Sequence, residues 1–151
     1  MENHHVYVGT KPSAQPQKHV LVVEDDSSLK PFWTHIIANH LYNLKIDWAV
    51  SGETAIETIR ASPRAPAFDI VILDIFLSGT LTGLDVMNEI KNSSWGDRCE
   101  VVLSSICDVY DLKKNFFPLD TKAKFLTKPY EVSKCISTLT GALARLESRS
   151  V

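Results

Sequence analysis

The sequence predicts an open, doubly wound α/β domain with a five-stranded parallel sheet and five helices. Short apolar runs alternate with segments of helical periodicity from His19 onward. The runs are apolar throughout rather than at every second position, which is typical of parallel strands covered by helices on both faces. The chain has 151 residues, 44% of them hydrophobic and 23% charged, which suits one globular domain.

Five strands are predicted from the apolar runs. The first and third runs are the most uniformly apolar, apart from Asp69 near the start of the third. The predicted bounds are His19–Val23, Ile46–Val50, Phe68–Leu73, Cys99–Leu103 and Lys124–Leu126.

Five helices are predicted from capping residues and apolar stripes. Ser27 or Ser28 is expected to cap the first helix, whose first turn holds Pro31, where a missing N–H does little harm. Ser51 is expected to cap the second helix. The first predicted helix runs from Ser27 or Ser28 to about His40. The other four are predicted over Gly52–Arg60, Leu84–Asn92, Asp108–Phe116 and Tyr130–Leu146.

Composition divides the chain into a flexible leader over 1–18, a domain over 19–147 and a short tail over 148–151. The leader lacks the apolar core of a signal peptide, and no apolar run approaches the roughly 20 residues that span a bilayer. The net charge is −2 without a block of like charges, which argues against nucleic-acid and membrane-surface binding. Three cysteines without CxxC spacing favour reduced thiols and a cytoplasmic location.

Polar groups suited to chemistry follow four of the five predicted strands. They are, in strand order, Glu24-Asp25-Asp26, Asp74, Ser104-Ser105 and Thr127-Lys128-Pro129. Ligands of doubly wound sheets bind outside the carboxyl ends of the strands. A cluster of carboxylates there is unfavourable unless a cation occupies it, and Mg²⁺ binds few protein oxygens and keeps several waters. The lysine and the hydroxyl could then bind an anion that joins the metal.

Each of these groups alone has an ordinary explanation. Acids are common where a helix begins, a lone aspartate often lies in a turn, and single serines and lysines are usual in surface loops. The conjunction of acid, acid, hydroxyl and lysine at one edge of four strands is what indicates a functional site.

The four segments resemble the sequence signatures of response-regulator receiver domains, a family with a flavodoxin-like fold. They cover residues 20–26, 69–77, 101–105 and 125–130, and the resemblance extends from His19 to about Leu146. Two positions depart from the family pattern. Ser78 stands where a proline is usual, and Gly83 comes nine residues after Asp74 instead of eight. The loop between them is therefore expected to be one residue longer.

The resemblance implies a role for each phosphoryl-binding residue. Asp74 would accept the phosphoryl group, Lys128 would contact it and Ser104 would donate a hydrogen bond to it. Phe125 would be the aromatic switch residue that turns inward when Ser104 moves. The Lys128–Pro129 peptide would be cis.

The resemblance also implies a magnesium site. Asp25, Asp74 and the backbone carbonyl of Phe76 would ligate Mg²⁺ directly, while Glu24 would act mostly through bound water. No other cofactor is implied.

The implied function is a cytoplasmic signalling switch that catalyses only its own phosphorylation and dephosphorylation, and not an enzyme with a separate substrate. The phosphodonor would be a sensor histidine kinase or a histidine phosphotransfer protein. Output would pass to a downstream protein partner or a phosphorylation-dependent homodimer through the fourth predicted helix, the fifth strand and the last helix. The alternative is a receiver-like protein-binding module that is not phosphorylated, although such modules usually lack one of the acids or the lysine.

Two apolar residues predict a long-lived phosphorylated state. The positions two after the acceptor and two after the switch hydroxyl flank the approach of water in receivers, and here they are Phe76 and Ile106. Neither side chain can orient a water molecule, and both can obstruct one. The alternative is that both side chains merely pack against neighbouring loops.

Overall fold

The computed structural model describes residues 16–107, 110–111, 114 and 123–149. Within this part of the chain five parallel strands form one sheet in the order β2-β1-β3-β4-β5, which confirms the predicted sheet. Their bounds are β1 Lys18–Val23, β2 Leu44–Ala49, β3 Ile70–Asp74, β4 Glu100–Ser105 and β5 Lys124–Thr127.

Four helices are described over their full length, where the sequence predicts five. They are α1 Lys30–His40, α2 Gly52–Ala61, α3 Gly83–Asn92 and α4 Val132–Arg149. The predicted helix over Asp108–Phe116 falls mostly outside the described residues, although three of its residues, 110, 111 and 114, are helical. Two short 3₁₀ turns, Ser27–Leu29 and Gly96–Arg98, were not predicted.

The helix starts show one correct and one wrong capping prediction. Ser51 caps α2 as expected, its hydroxyl accepting a hydrogen bond from the Thr54 N–H at 3.1 Å. The first helix is not capped by Ser27 or Ser28. Instead the Asp26 carboxylate accepts a bond from the Ser28 N–H at 3.0 Å and opens a 3₁₀ turn that leads into α1. A carboxylate one residue earlier therefore takes the place of the predicted serine.

The sheet separates two apolar cores because neighbouring residues of each strand point to opposite faces. One core joins the strands to α2 and α3 and includes Leu21, Leu73 and Ile90. The other joins them to α1 and α4 and includes Val22, Trp33 and Leu139. Each fully buried side chain of this size contributes about 1.5–3 kcal/mol, so the two cores hold the strands in place for the site at one end.

Buried acids at the amino ends of the strands are paired. Asp69 accepts a bond from the His19 N–H at 2.7 Å, and Glu100 lies 3.1 Å from Arg145 and 2.6 Å from Arg149. Arg149 belongs to α4, which continues beyond its predicted end at Leu146. At the other terminus, β1 includes Lys18, the last residue of the predicted leader.

The described residues contain no helix that is both long and apolar enough to cross a membrane.

Candidate functional site

The carboxyl ends of four strands bring the predicted site residues together. Asp74 ends β3 and is paired in register with Ser104 of β4. Glu24 follows β1, the neighbour of β3, and its N–H bonds the Ala49 carbonyl of β2. Lys128 follows β5 and reaches across the edge to Glu24 and Asp74. These residues meet because parallel strands all end at the same edge of the sheet.

Three carboxylates form the centre of the site. One oxygen from each of Glu24, Asp25 and Asp74 lies within 4.8 Å of the others. Glu24 and Asp74 are buried, whereas Asp25 is exposed to solvent. Oxygen donors of this kind suit a hard divalent cation, and the exposed Asp25 leaves the cluster open for entry from solvent.

Lys128 is the positive partner of the two buried acids. Its Nζ lies 2.6 Å from Glu24 Oε2 and 3.0 Å from Asp74 Oδ2. Burial alone would lower the pKa of Lys128, but the hydrogen bonds to Glu24 and Asp74 outweigh it and hold that pKa above its ordinary value. Burial raises the pKa of Glu24 to about 7, although the bond from Lys128 opposes this shift. One ammonium thus faces three carboxylates, and the excess negative charge favours a cation.

Asp25 is held by Ser78, in the loop after β3. The Ser78 N–H donates to Asp25 Oδ2 at 2.9 Å, a bond that a proline at position 78 could not make. Burial opposes ionisation of Asp25, yet its hydrogen bonds with Ser78 outweigh burial and lower its pKa. The backbone of Ser78 therefore orients a carboxylate of the cluster.

The loop after Asp74 has a defined shape. The Glu53 carboxylate accepts bonds from the Thr80 hydroxyl at 2.9 Å and from the Leu81 N–H at 3.0 Å. At the end of the loop Gly83 passes so close to β3 that an added Cβ would lie 2.3 Å from the Asp74 carbonyl oxygen. Position 83 therefore requires glycine. Glu53 of α2 holds the loop that precedes it through the bonds from Thr80 and Leu81.

Ser104 is buried and its hydroxyl is hydrogen-bonded to the hydroxyl of Tyr130. Tyr130 is not among the site residues that the sequence predicts. The sequence shows a tyrosine two residues after Lys128. The pairing of β4 with β5 decides which hydroxyl this tyrosine contacts, and the sequence does not show it. The Lys128–Pro129 peptide is cis, as expected from the resemblance.

The other predicted residues follow β3 and β4 or lie on β5. The Phe76 N–H donates to Asp74 Oδ1 at 3.1 Å, and the Phe76 side chain is 45% exposed. Ile106, just after β4, is 74% exposed. Phe125 is half-buried and packs against the core on the α2–α3 side of the sheet. It also borders a shallow surface depression with Lys124 and Arg145.

Comparisons with known proteins agree with this geometry. A family model described as the response regulator receiver domain matches residues 20–140. A signal receiver domain from Vibrio parahaemolyticus has a TM-score of 0.72 and 23% identity, covering 89% of this chain and 95% of that one. The receiver domain of a Pseudomonas aeruginosa sensor histidine kinase, with a magnesium ion in its active-site cleft, has a TM-score of 0.68 and 16% identity. It covers 85% of this chain and 98% of that one.

Chemotaxis protein CheY4 of Vibrio cholerae has a TM-score of 0.68 at 17% identity, with 83% of this chain and 98% of that one covered. At such identities the similarity shows the flavodoxin-like fold. No curated protein sequence matches the chain.

Replacing Lys128 should destabilise the metal-free protein. Lys128→Ala leaves Glu24 and Asp74 buried without their positive partner, and we expect a loss of about 1–3 kcal/mol in the free energy of unfolding. Because Glu24 has a raised pKa, it is charged mainly above pH 7, and the loss should be larger at pH 8 than at pH 6. Urea denaturation in a chelating buffer at both pH values measures the free energy of unfolding of the variant and of the wild type.

Lys124→Ala is the matched control, since Lys124 is exposed on β5, four residues earlier. Equal losses for the two lysine variants would contradict the assigned role of Lys128.

Proposed function

The chain belongs to the response regulator receiver domain family, and we propose that it is a phosphorylatable signalling switch that accepts a phosphoryl group on Asp74. The observation that carries this proposal is the set of contacts around that carboxylate. Lys128 lies 3.0 Å from it, and the carboxylates of Glu24 and Asp25 lie beside it. Three free cysteines suit the reducing cytoplasm, where we expect the switch to act.

The donor set fits Mg²⁺. Asp25, Asp74 and the backbone carbonyl of Phe76 would hold the ion, with Glu24 acting through water. The Ser78 N–H binds Oδ2 of Asp25, and a carboxylate has acceptor capacity for more than one partner. When bound, Mg²⁺ supplies positive charge beside the phosphoryl oxygens.

Phosphoryl transfer to Asp74 requires positioning and charge stabilisation more than covalent chemistry. An Asp74 oxygen attacks phosphorus in line, the new O–P bond forms, and the bond from phosphorus to the donor's histidine nitrogen breaks. Lys128 has three N–H donors, two of which now bond Glu24 and Asp74, so one remains for a phosphoryl oxygen. Ser104, opposite Asp74 on β4, donates to another oxygen.

The donor in this proposal is a sensor histidine kinase or a histidine phosphotransfer protein, since phosphohistidine is the donor chemistry of two-component signalling. Output is a population shift at the surface around β5 and α4. Phe125 turns inward as Ser104 engages the phosphoryl group, and the depression that Phe125 shares with Lys124 and Arg145 changes shape. A downstream protein or a second copy of the chain reads this change.

Asp74→Asn should abolish labelling. We expect acetyl phosphate with Mg²⁺ to add one phosphoryl group to the wild-type protein, because Asp74 alone ends the central strand beside Lys128. Intact mass spectrometry detects the added mass. Asp97→Asn is the matched control, since Asp97 is exposed on the 3₁₀ turn that precedes β4 and should leave labelling unchanged.

Unchanged labelling of Asp74→Asn would refute the acceptor assignment. A wild-type protein that is never labelled would instead favour the protein-binding module that is not phosphorylated.

Asp25→Ala should weaken Mg²⁺ binding by about tenfold or more, because it removes one of the few protein ligands of a site that water completes. Calorimetric titration without a phosphodonor measures the affinity directly. Asp26→Ala is the control, because Asp26 is a neighbouring exposed acid that caps the 3₁₀ turn. Equal Mg²⁺ affinities in the two variants would count against the proposed ligands.

The double variant Phe76→Asn with Ile106→Glu should lose phosphate about tenfold faster or more, a barrier change of ~1.4 kcal/mol. Both native side chains are substantially exposed and are therefore available to obstruct water, and the replacements can orient it. Decay of the phosphorylated protein after removal of the donor gives the rate.

Val50→Asn serves as the control, since Val50 is an exposed apolar residue that follows the edge strand β2. If the double variant and the wild type lose phosphate equally fast, these side chains do not control the access of water.

A further inference from the structure

Tyr130 connects the proposed phosphoryl site to helix α1. Its hydroxyl is bonded to Ser104, and its ring stacks on Phe32 with 5.3 Å between the ring centroids and 15° between the planes. Trp33 contacts the same ring edge-on at 5.0 Å. A phenol held on two sides by aromatic rings has little freedom to rotate, so its hydroxyl is fixed with respect to Ser104.

The Ser104 hydroxyl has one proton, which decides how the bond must run in the phosphorylated protein. Without phosphate, either oxygen of the Ser104–Tyr130 pair can donate. Phosphoryl oxygens can only accept hydrogen bonds, so the Ser104 hydroxyl must be the donor in its bond to them. Its oxygen can then keep the bond to Tyr130 only as an acceptor, and Tyr130 becomes the donor.

We propose that Tyr130 is a positioning residue for Ser104, donating a hydrogen bond that aims the Ser104 proton at the phosphoryl group on Asp74. The hydroxyls of Tyr130 and Ser104 and a phosphoryl oxygen then form a continuous chain in which each hydrogen bond strengthens the next. The inference rests on the proposed function and adds to it a residue outside the predicted site.

The local environment supports the donor role of Tyr130. Burial raises the pKa of Tyr130 to about 12, so its hydroxyl keeps the proton that it must donate. In the opposite arrangement, the hydrogen bond to Tyr130 keeps the Ser104 hydroxyl away from the phosphoryl group, and this bond breaks on phosphorylation. The two arrangements predict opposite effects when the phenol oxygen is removed.

Tyr130→Phe tests the proposal because it removes the hydroxyl and retains the ring between Phe32 and Trp33. The measurement is the affinity for beryllofluoride, an acyl phosphate mimic, titrated into the full chain with Mg²⁺. We expect the affinity to fall by about two- to tenfold, the effect of one hydrogen bond. Tyr42→Phe is the matched control, since Tyr42 is 68% exposed, and it should bind as tightly as the wild type.

A double-mutant cycle with Ser104→Ala separates positioning from a general structural effect. If Tyr130 acts through Ser104, Tyr130→Phe should change the affinity in the wild-type background and not in Ser104→Ala. An equal loss in both backgrounds, an unchanged affinity or a tighter affinity in Tyr130→Phe would overturn the proposal. A wild-type protein that binds no beryllofluoride would instead refute the proposed function.

Discussion

The bonds from Lys128 to Glu24 and Asp74 are the interaction on which the rest of the site depends. Burying a carboxylate without a partner costs several kcal/mol, and here two are buried within reach of one ammonium. Lys128 offsets part of that cost and joins the ends of β1, β3 and β5, although β5 is adjacent to neither of the other two. The negative charge that remains favours a cation, which is the basis of the proposed magnesium and phosphoryl site.

The fold was largely predictable because its main determinants are local. A short continuous apolar run rich in β-branched residues favours a strand buried on both faces. Five such runs alternating with amphipathic segments leave few arrangements other than a parallel sheet. The exact ends of the elements depended on contacts between distant residues. Arg149, beyond the predicted end of α4, bonds Glu100, 49 residues away along the chain. The first cap was wrong for a local reason, because Asp26 and not a serine accepts the N–H bond that opens the 3₁₀ turn.

The site was predictable to the extent that strand ends determine it. Glu24, Asp74 and Ser104 meet because their strands are neighbours, and the order of acid, hydroxyl and lysine was visible in the sequence. The contacts of Tyr130, Ser78 and Glu53 were not visible, because each joins residues 26 to 53 positions apart through loops whose paths follow from packing. Periodicity and spacing carry no information about such contacts.

If Lys128 and the three carboxylates form a phosphoryl-binding site around Asp74, a crystal structure with Mg²⁺ and beryllofluoride will show it. We expect beryllium on an Asp74 oxygen, a metal ion bound by Asp25, Asp74 and the Phe76 carbonyl, and Lys128 bonded to a fluorine. Beryllofluoride absent from Asp74, with Lys128 still bonded to both Glu24 and Asp74, would show that this is not a phosphoryl-binding site.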